Sequence, residues 1–314
     1  MKRPSGVGSV AGAPVVARPT VRACRRTIAG VPESPRSARG RGVALLLSCH
    51  PAPALAVTVI ATLLAVAAGA SAGTVGLVAV AFGAGQLSIG WSNDWVDAAR
   101  DVAVGRTDKP VATGSVSRTA VGAAAVLAAA ASVPLSLALG LAAGLAHLVG
   151  VASGWAYNLG LKSTAWSWLP YAVTFGLLPA VVTLALPGAP LPPSWAVAAG
   201  ALLGVGAHLV NVLPDLEDDA ATGVRGLPHR LGRRASSLLA PAVLTAASLL
   251  VVLGPTGSPR FAGWAALALV VALGCVAAGS ATTSGRRRLP LLATAAVAVV
   301  DVVLLLSSGS ALAG

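Results

Sequence analysis

Residues 73–101 read GTVGLVAVAFGAGQLSIGWSNDWVDAARD, and the change of character inside this stretch decides the fold. Its first twenty residues carry no charge, enough as a helix to cross roughly 30 Å of hydrocarbon. Its last nine, Asn93 to Asp101, carry three aspartates. An uncharged span that runs directly into acids reads as a membrane helix emerging at a polar surface. Similar apolar runs lie at 52–70, 117–134, 136–157, 167–186, 194–213, 235–253, 260–280 and 289–308, with the tightest break near Pro134. Over all 314 residues, 56% are apolar and 10% charged, far from a soluble domain. The expected fold is all-α, a polytopic membrane bundle of about nine transmembrane helices.

A net charge of +12 could signal nucleic acid, anionic lipid or topology. Its placement decides. With the N-terminus inside, 21 of the 22 Lys and Arg residues fall on the inner side and only Arg260 on the outer. The positive-inside rule accounts for that without nucleic acid. Residues 1–42, rich in Arg, Pro, Gly and Ser, read as a disordered basic cytoplasmic tail touching anionic lipid, and are too long for a signal-peptide leader. Residues 43–314 form the transmembrane domain. Cys24, Cys49 and Cys275 are scattered and support neither disulfide nor metal site. Arg outnumbers Lys 19 to 3, and Ala, Gly and Val abound, which suggests a bacterial origin.

Seven of the ten acids sit in two short segments: Asp94, Asp97 and Asp101, then Asp215, Glu217, Asp218 and Asp219. Under this topology both lie at the cytoplasmic ends of spans two and six. Helical continuation puts Asn93, Asp94, Asp97 and Asp101 within an arc of roughly 100°, and Asn211, Asp215, Asp218 and Asp219 within a similar one, with Pro214 a candidate kink. Carboxylates so crowded repel unless a cation neutralises them, and an all-oxygen ligand set suits Mg²⁺ shared with a phosphate. The plainer explanation, solvated acids paired with nearby arginines, carries less weight in a chain that otherwise avoids acids. Arg106, Lys109 and Arg225 follow the clusters and are candidates to hold a diphosphate. The segments also echo one another at an offset of 122 residues, Asn93 with Asp215 and Asp97-Ala98-Ala99 with Asp219-Ala220-Ala221, as two four-span halves would.

Together these residues resemble the UbiA family of intramembrane prenyltransferases. The match comprises N-D-x-x-D-x-x-x-D at Asn93 to Asp101 and G-R-T-D-K-P-V-A-T-G at 105–114. It continues with Tyr157-Asn158 and Lys162, then D-x-x-x-D-x-x-x-G at Asp215 to Gly223, followed by Leu227-Pro228 and Leu231-Gly232-Arg233-Arg234. It spans about residues 45–308. The resemblance implies a helical bundle around a central cavity and a prenyl diphosphate bound through Mg²⁺ by both motifs. Asn93, Asp94, Asp97, Asp101, Asp215 and Asp219 would be metal and diphosphate ligands, with Asp218 added on geometry. Asp94, Asp97, Asp215 and Asp219 would carry catalysis, and Lys162 would join the diphosphate-binding bases. Members often carry an Arg ahead of the first-helix Pro; Leu47-Ser48-Cys49-His50-Pro51 stands here, which counts against a carboxylated acceptor such as 4-hydroxybenzoate.

The implied reaction is Mg²⁺-dependent transfer of a prenyl group to a small aromatic or quinone-precursor acceptor. Alternatives are transfer to a lipid or sugar, cyclisation of the chain, or, in another class, cation-coupled transport. Gln86 and His208 lie seven residues before Asn93 and Asp215 on the same helix faces, so both are expected in the acceptor cavity. His147 reads as structural, Asp301 has no assigned role, and the tryptophans read as interface anchors, with a share in cation stabilisation open to Trp91 or Trp155.

Overall fold

A computed structural model describes residues 38–281 and 288–312. The described residues hold no strand, and their helices satisfy the backbone internally, as an apolar bilayer demands. The helices are α1 (Ala38–Leu47), α2 (Pro51–Ala67), α3 (Ala72–Ala103), α4 (Arg118–Leu137), α5 (Leu141–Leu159), α6 (Leu169–Leu184), α7 (Ser194–Val212), α8 (Leu216–Ala221), α9 (Leu227–Leu253), α10 (Phe261–Ala281) and α11 (Arg288–Ser307). Nine of them coincide with the nine apolar stretches. Six are long and apolar enough to cross a bilayer on their own, and α1 with α2, bent by 62°, would make a seventh. Helix α6 is short, and α5 is diluted by Ser153, Tyr157 and Asn158 turned to the interior. Length and composition therefore stop short of nine crossings. The expected tail at 1–42 lies outside the described residues up to 37; from 38 the chain is helical.

Local chemistry sets these boundaries. Ser71 and Ser117 cap α3 and α4, each accepting the backbone N–H three residues on (Thr74 and Ala120) at 3.2 Å. Prolines open α2, α6 and α9, where a missing N–H costs nothing. Helix α3 runs unbroken for 32 residues, so the first acid motif lies in its last three turns (about 3.6 residues each), as the helical arc requires. The second motif differs. Helix α7 ends at Val212, the chain turns through Leu213 and Pro214, and Asp215 precedes the six-residue α8. The expected single arc from Asn211 to Asp219 is therefore interrupted, because Pro214 has no N–H for the helical ladder.

Helix α3 packs against α2, α4 and α5; α7 packs against α6 and α9; α11 closes against α9 and α10 and touches α2 and α7. Small residues permit the closest approaches. A Cβ at Gly90 would lie 1.9 Å from the carbonyl oxygen of Cys49, so the break between α1 and α2 rests on the α3 backbone. A Cβ at Gly204 would lie 2.3 Å from Tyr171 O, which draws α7 onto α6.

Candidate active site

The end of α3 presents its motif to two different environments. Asp97 is almost buried, yet it accepts from Lys162 Nζ at 2.5 and 2.6 Å and from Arg100 Nη2 at 2.5 Å. Lys162 sits in the single 3₁₀ turn Leu161–Ser163 after α5, placed there by the C-terminal break at Gly160. Burial pulls the Lys162 ammonium below its ordinary pKa, and Asp97 opposes that pull. Asp101, one helical turn on, makes no ion pair among the described residues and lines the cavity. Asn93 donates to Asn158 Oδ1 at 3.1 Å, and Asn158 in turn donates to Ser92 Oγ at 2.7 Å and Ile89 O at 2.9 Å. That network fixes α5 against α3.

Asp94 is the motif's most buried acid, 1% exposed, and it does not line the cavity. Its Oδ1 accepts from Lys109 Nζ at 2.6 Å and lies 2.9 Å from His50 Nε2, while Lys109 Nζ is 2.8 Å from the same imidazole nitrogen. Its Oδ2 is enclosed without a hydrogen-bond partner. Asp94 thus braces Lys109 and the α1–α2 break from behind, while Asp97 and Asp101 face the open space. Sequence reading assigned His50 no role. Its signal was local: His50 has a left-handed φ of 54°, rare for a residue with a Cβ, and sits directly before a proline.

The second motif approaches through Arg106. Its guanidinium donates to Asp108 through Nε and Nη2, both at 2.8 Å, and Nη1 stands 3.8 Å from Asp215 Oδ2. These bonds hold the Asp108 carboxyl down at a pKa of about 2 and raise that of Arg106. Asp219 faces the same space, with His229 Nε2 at 3.7 Å from its Oδ2. Burial raises the Asp219 pKa, opposed by Arg100 and His229. Asp218 and Arg225 are exposed and do not line the cavity. Asp215, at the N-cap of α8, and Asp219 within it both line the cavity, and Asp218 does not.

Both motifs open onto one cavity of about 680 Å³. Its mouth is ionic, with Asp97, Asp101, Asp215 and Asp219 among Arg100, Arg106, Lys109 and Lys162. Its far wall is apolar, including Val57, Ile60, Phe175, Leu178, Leu203 and Leu305. Gln86, Asn211 and His208 line it as well, beside the rings of Tyr157 and Tyr171. His208 packs against Tyr157 and Tyr171 at centroid distances of 5.8 and 5.0 Å, and its Nε2 is 3.0 Å from Ser167 Oγ. Sequence reading missed Tyr171; only packing shows that Gly204 brings it to α7. His147 is buried against Phe82 and Ser136, away from the cavity. Trp91 donates to Leu45 O at 2.8 Å and Trp155 to Ser88 Oγ at 3.2 Å, and neither lines the cavity.

No three His, Cys, Asp or Glu side chains among the described residues close on one point. Arginine and lysine pair with Asp97 and Asp215 instead. That suits Mg²⁺ better than a caged metal, because Mg²⁺ keeps several waters and takes one or two carboxylates plus phosphate oxygens. Asp97, Asp101, Asp215 and Asp219, which all line the cavity, fit such a role.

Comparison with known proteins agrees with this fold. The model of the UbiA prenyltransferase family matches residues 54–309. The bacteriochlorophyll synthase 33 kDa chain of Cereibacter sphaeroides is 34% identical over 207 residues, covering 60% of this chain and 67% of that one. Among solved structures, a UbiA homologue from Archaeoglobus fulgidus bound to GPP and Mg²⁺ superposes with a TM-score of 0.63 at 17% identity, over 84% of this chain and 99% of that one. A structure of digeranylgeranylglyceryl phosphate synthase superposes with a TM-score of 0.61 at 13% identity, over 86% and 99%.

Proposed function

The chain belongs to the UbiA prenyltransferase family, and on that premise we propose that its ionic mouth binds the diphosphate of a prenyl donor with Mg²⁺ and that its apolar cavity holds the chain beside an aromatic or quinone-precursor acceptor. It is a multi-pass membrane prenyltransferase. The A. fulgidus homologue bound to GPP and Mg²⁺ supports the choice of donor and metal. The observation that carries the site assignment is Arg106, which stems from the loop after the first motif and stands 3.8 Å from Asp215 of the second. Two acid segments more than a hundred residues apart thus meet at one mouth.

The division of labour follows from charge. Asp97, Asp101, Asp215 and Asp219 would hold Mg²⁺, which when bound neutralises the diphosphate and the charge that grows as its ester bond breaks. Arg106, Lys109 and Lys162 are placed to receive the departing diphosphate oxygens, each already oriented by a carboxylate. Below them the cavity wall excludes water from the allylic cation. Both motifs face the cytoplasm in this reading, which the gathering of 21 of the 22 Lys and Arg residues on their side supports. Transport is disfavoured because a cation pathway calls for carboxylates at mid-membrane. The acid inside α11, Asp301, is fully buried against Ser248 and does not line the cavity.

The test is the purified full chain in nanodiscs with Mg²⁺ and geranyl or geranylgeranyl diphosphate. Saturable binding and Mg²⁺-dependent diphosphate release are expected, both lost in Asp97→Asn. A chain that neither binds nor consumes any prenyl diphosphate overturns the assignment.

A further inference from the structure

Between the ionic mouth and the apolar wall lies a group of polar side chains that the diphosphate reading does not use. Gln86 from α3, together with His208 and Asn211 from α7, lines the cavity beside Tyr157 and Tyr171. Asn211 donates to the Tyr171 hydroxyl at 3.2 Å. The Gln86 side chain makes no hydrogen bond among the described residues, although membrane helices rarely carry an idle amide. His208 is 1% exposed, and while its Nε2 meets Ser167 Oγ at 3.0 Å, its Nδ1 has no partner. A buried polar atom left unpaired costs on the order of 1–3 kcal/mol, so a cavity-lining example asks for a ligand.

The charges of the cavity point to the kind of ligand. All four Lys and Arg side chains that line it are held by carboxylates: Arg100 and Lys162 by Asp97, Arg106 by Asp108 and Asp215, and Lys109 by Asp94 behind the wall. None is left to neutralise an anion lodged beside Gln86 and His208. A carboxylate placed there would be desolvated without a counter-charge, which is far costlier than burying a hydroxyl that finds a partner. Resting on the prenyltransferase reading, we propose that the acceptor is an uncharged, hydroxyl-bearing molecule, seated by Gln86 with its attacking hydroxyl against Nδ1 of His208.

Ser167 orients the imidazole for this task. Its Oγ accepts the backbone N–H of Leu227 at 2.8 Å and can accept His208 Nε2–H on its second lone pair. In that tautomer Nδ1 carries the free lone pair. As the acceptor oxygen attacks C1 of the prenyl chain, a C–O bond forms and the C1–O bond to diphosphate breaks, its electron pair leaving with the diphosphate. The hydroxyl proton passes to Nδ1. His208 is then a catalytic residue and Ser167 a positioning one.

The experiment compares matched acceptors with the nanodisc-embedded full chain, Mg²⁺ and geranylgeranyl diphosphate: hydroquinone against its carboxylated form gentisate, and inositol against quinate. At least one uncharged acceptor is expected to give a prenyl ether, with kcat/KM at least about tenfold above its carboxylated partner. In His208→Gln, kcat for ether formation should fall about a hundredfold. Gln86→Ala should raise the KM for the acceptor and spare kcat. Preference for the carboxylated partners, no transfer to any uncharged one, or wild-type ether formation by His208→Gln overturns the proposal. Acceptor-free release persisting in those cases leaves the prenyltransferase reading standing, and its absence from the wild type counts against that reading itself.

Discussion

Lys162 crosses from the turn after α5 to set its ammonium against both carboxylate oxygens of Asp97 on α3, at 2.5 and 2.6 Å, with both side chains nearly buried. One contact therefore joins a loop to the first acid motif at the cavity mouth. It also prevents Asp97 from being a bare buried charge. Because Arg100 meets the same carboxylate, a single acid organises two cations around the place assigned to the diphosphate.

Removing Lys162 should damage both folding and turnover. Breaking a buried pair from one side costs about 3–5 kcal/mol, since the remaining charge loses its partner. Lys162→Met is expected to lower the thermal midpoint in detergent and to reduce kcat/KM for the prenyl diphosphate at least about a hundredfold. Asp97→Asn combined with Lys162→Met should be less destabilised than the sum of the single changes, which a double-mutant cycle measures.

Mg²⁺ affinity should depend on pH through Asp219. Burial raises its pKa despite Arg100 and His229. A proton competes with the metal, so more of Asp219 is protonated at a given mildly acidic pH than of an exposed aspartate. Mg²⁺ half-saturation should accordingly rise as pH falls, beginning above the ~3.9 of an unperturbed aspartate. Titrating Mg²⁺-dependent diphosphate release at several pH values checks this, and Asp219→Asn should flatten the dependence while weakening binding throughout. Chelation with EDTA should abolish turnover in both.

Asp218 and Arg225 serve as internal controls. Both are exposed and neither lines the cavity. Asp218→Ala and Arg225→Ala are expected to keep kcat/KM within about threefold of wild type, against a loss of roughly a hundredfold or more for Asp215→Ala or Asp219→Ala. Steady-state kinetics on the four variants separates the residues that face the mouth from those that merely share its sequence motif.

Gly90 should tolerate no side chain. Its missing Cβ is what lets the Cys49 carbonyl rest on α3, at 1.9 Å from where that atom would be. Gly90→Ala is expected to displace the α1–α2 break, and with it His50 and the brace on Lys109, giving a drop in thermal midpoint and in prenyl diphosphate affinity. Gly83→Ala, whose Cβ would only touch Thr58 Cγ2 at 4.0 Å, should change neither.

The sequence by itself determined the helical membrane architecture and most of the mouth. Apolar runs of span length admit only one backbone solution in a bilayer, and the scarcity of acids elsewhere made Asp97, Asp101, Asp215 and Asp219 stand out. Helical periodicity also carried Gln86 and His208 into the cavity, because seven residues return a helix to nearly the same face. What only tertiary structure decided was which equal-looking residues face inward. Asp94 and Asp97 are both motif aspartates, yet Lys109 and His50 draw one behind the wall while Lys162 meets the other at the mouth. Pro214 breaks the second helix, so Asp218 turns outward although a continuous arc would have kept it with Asp215. His50 and Tyr171 enter through close backbone contacts at Gly90 and Gly204. Such contacts depend on how two distant segments fit, and local periodicity carries no record of that fit.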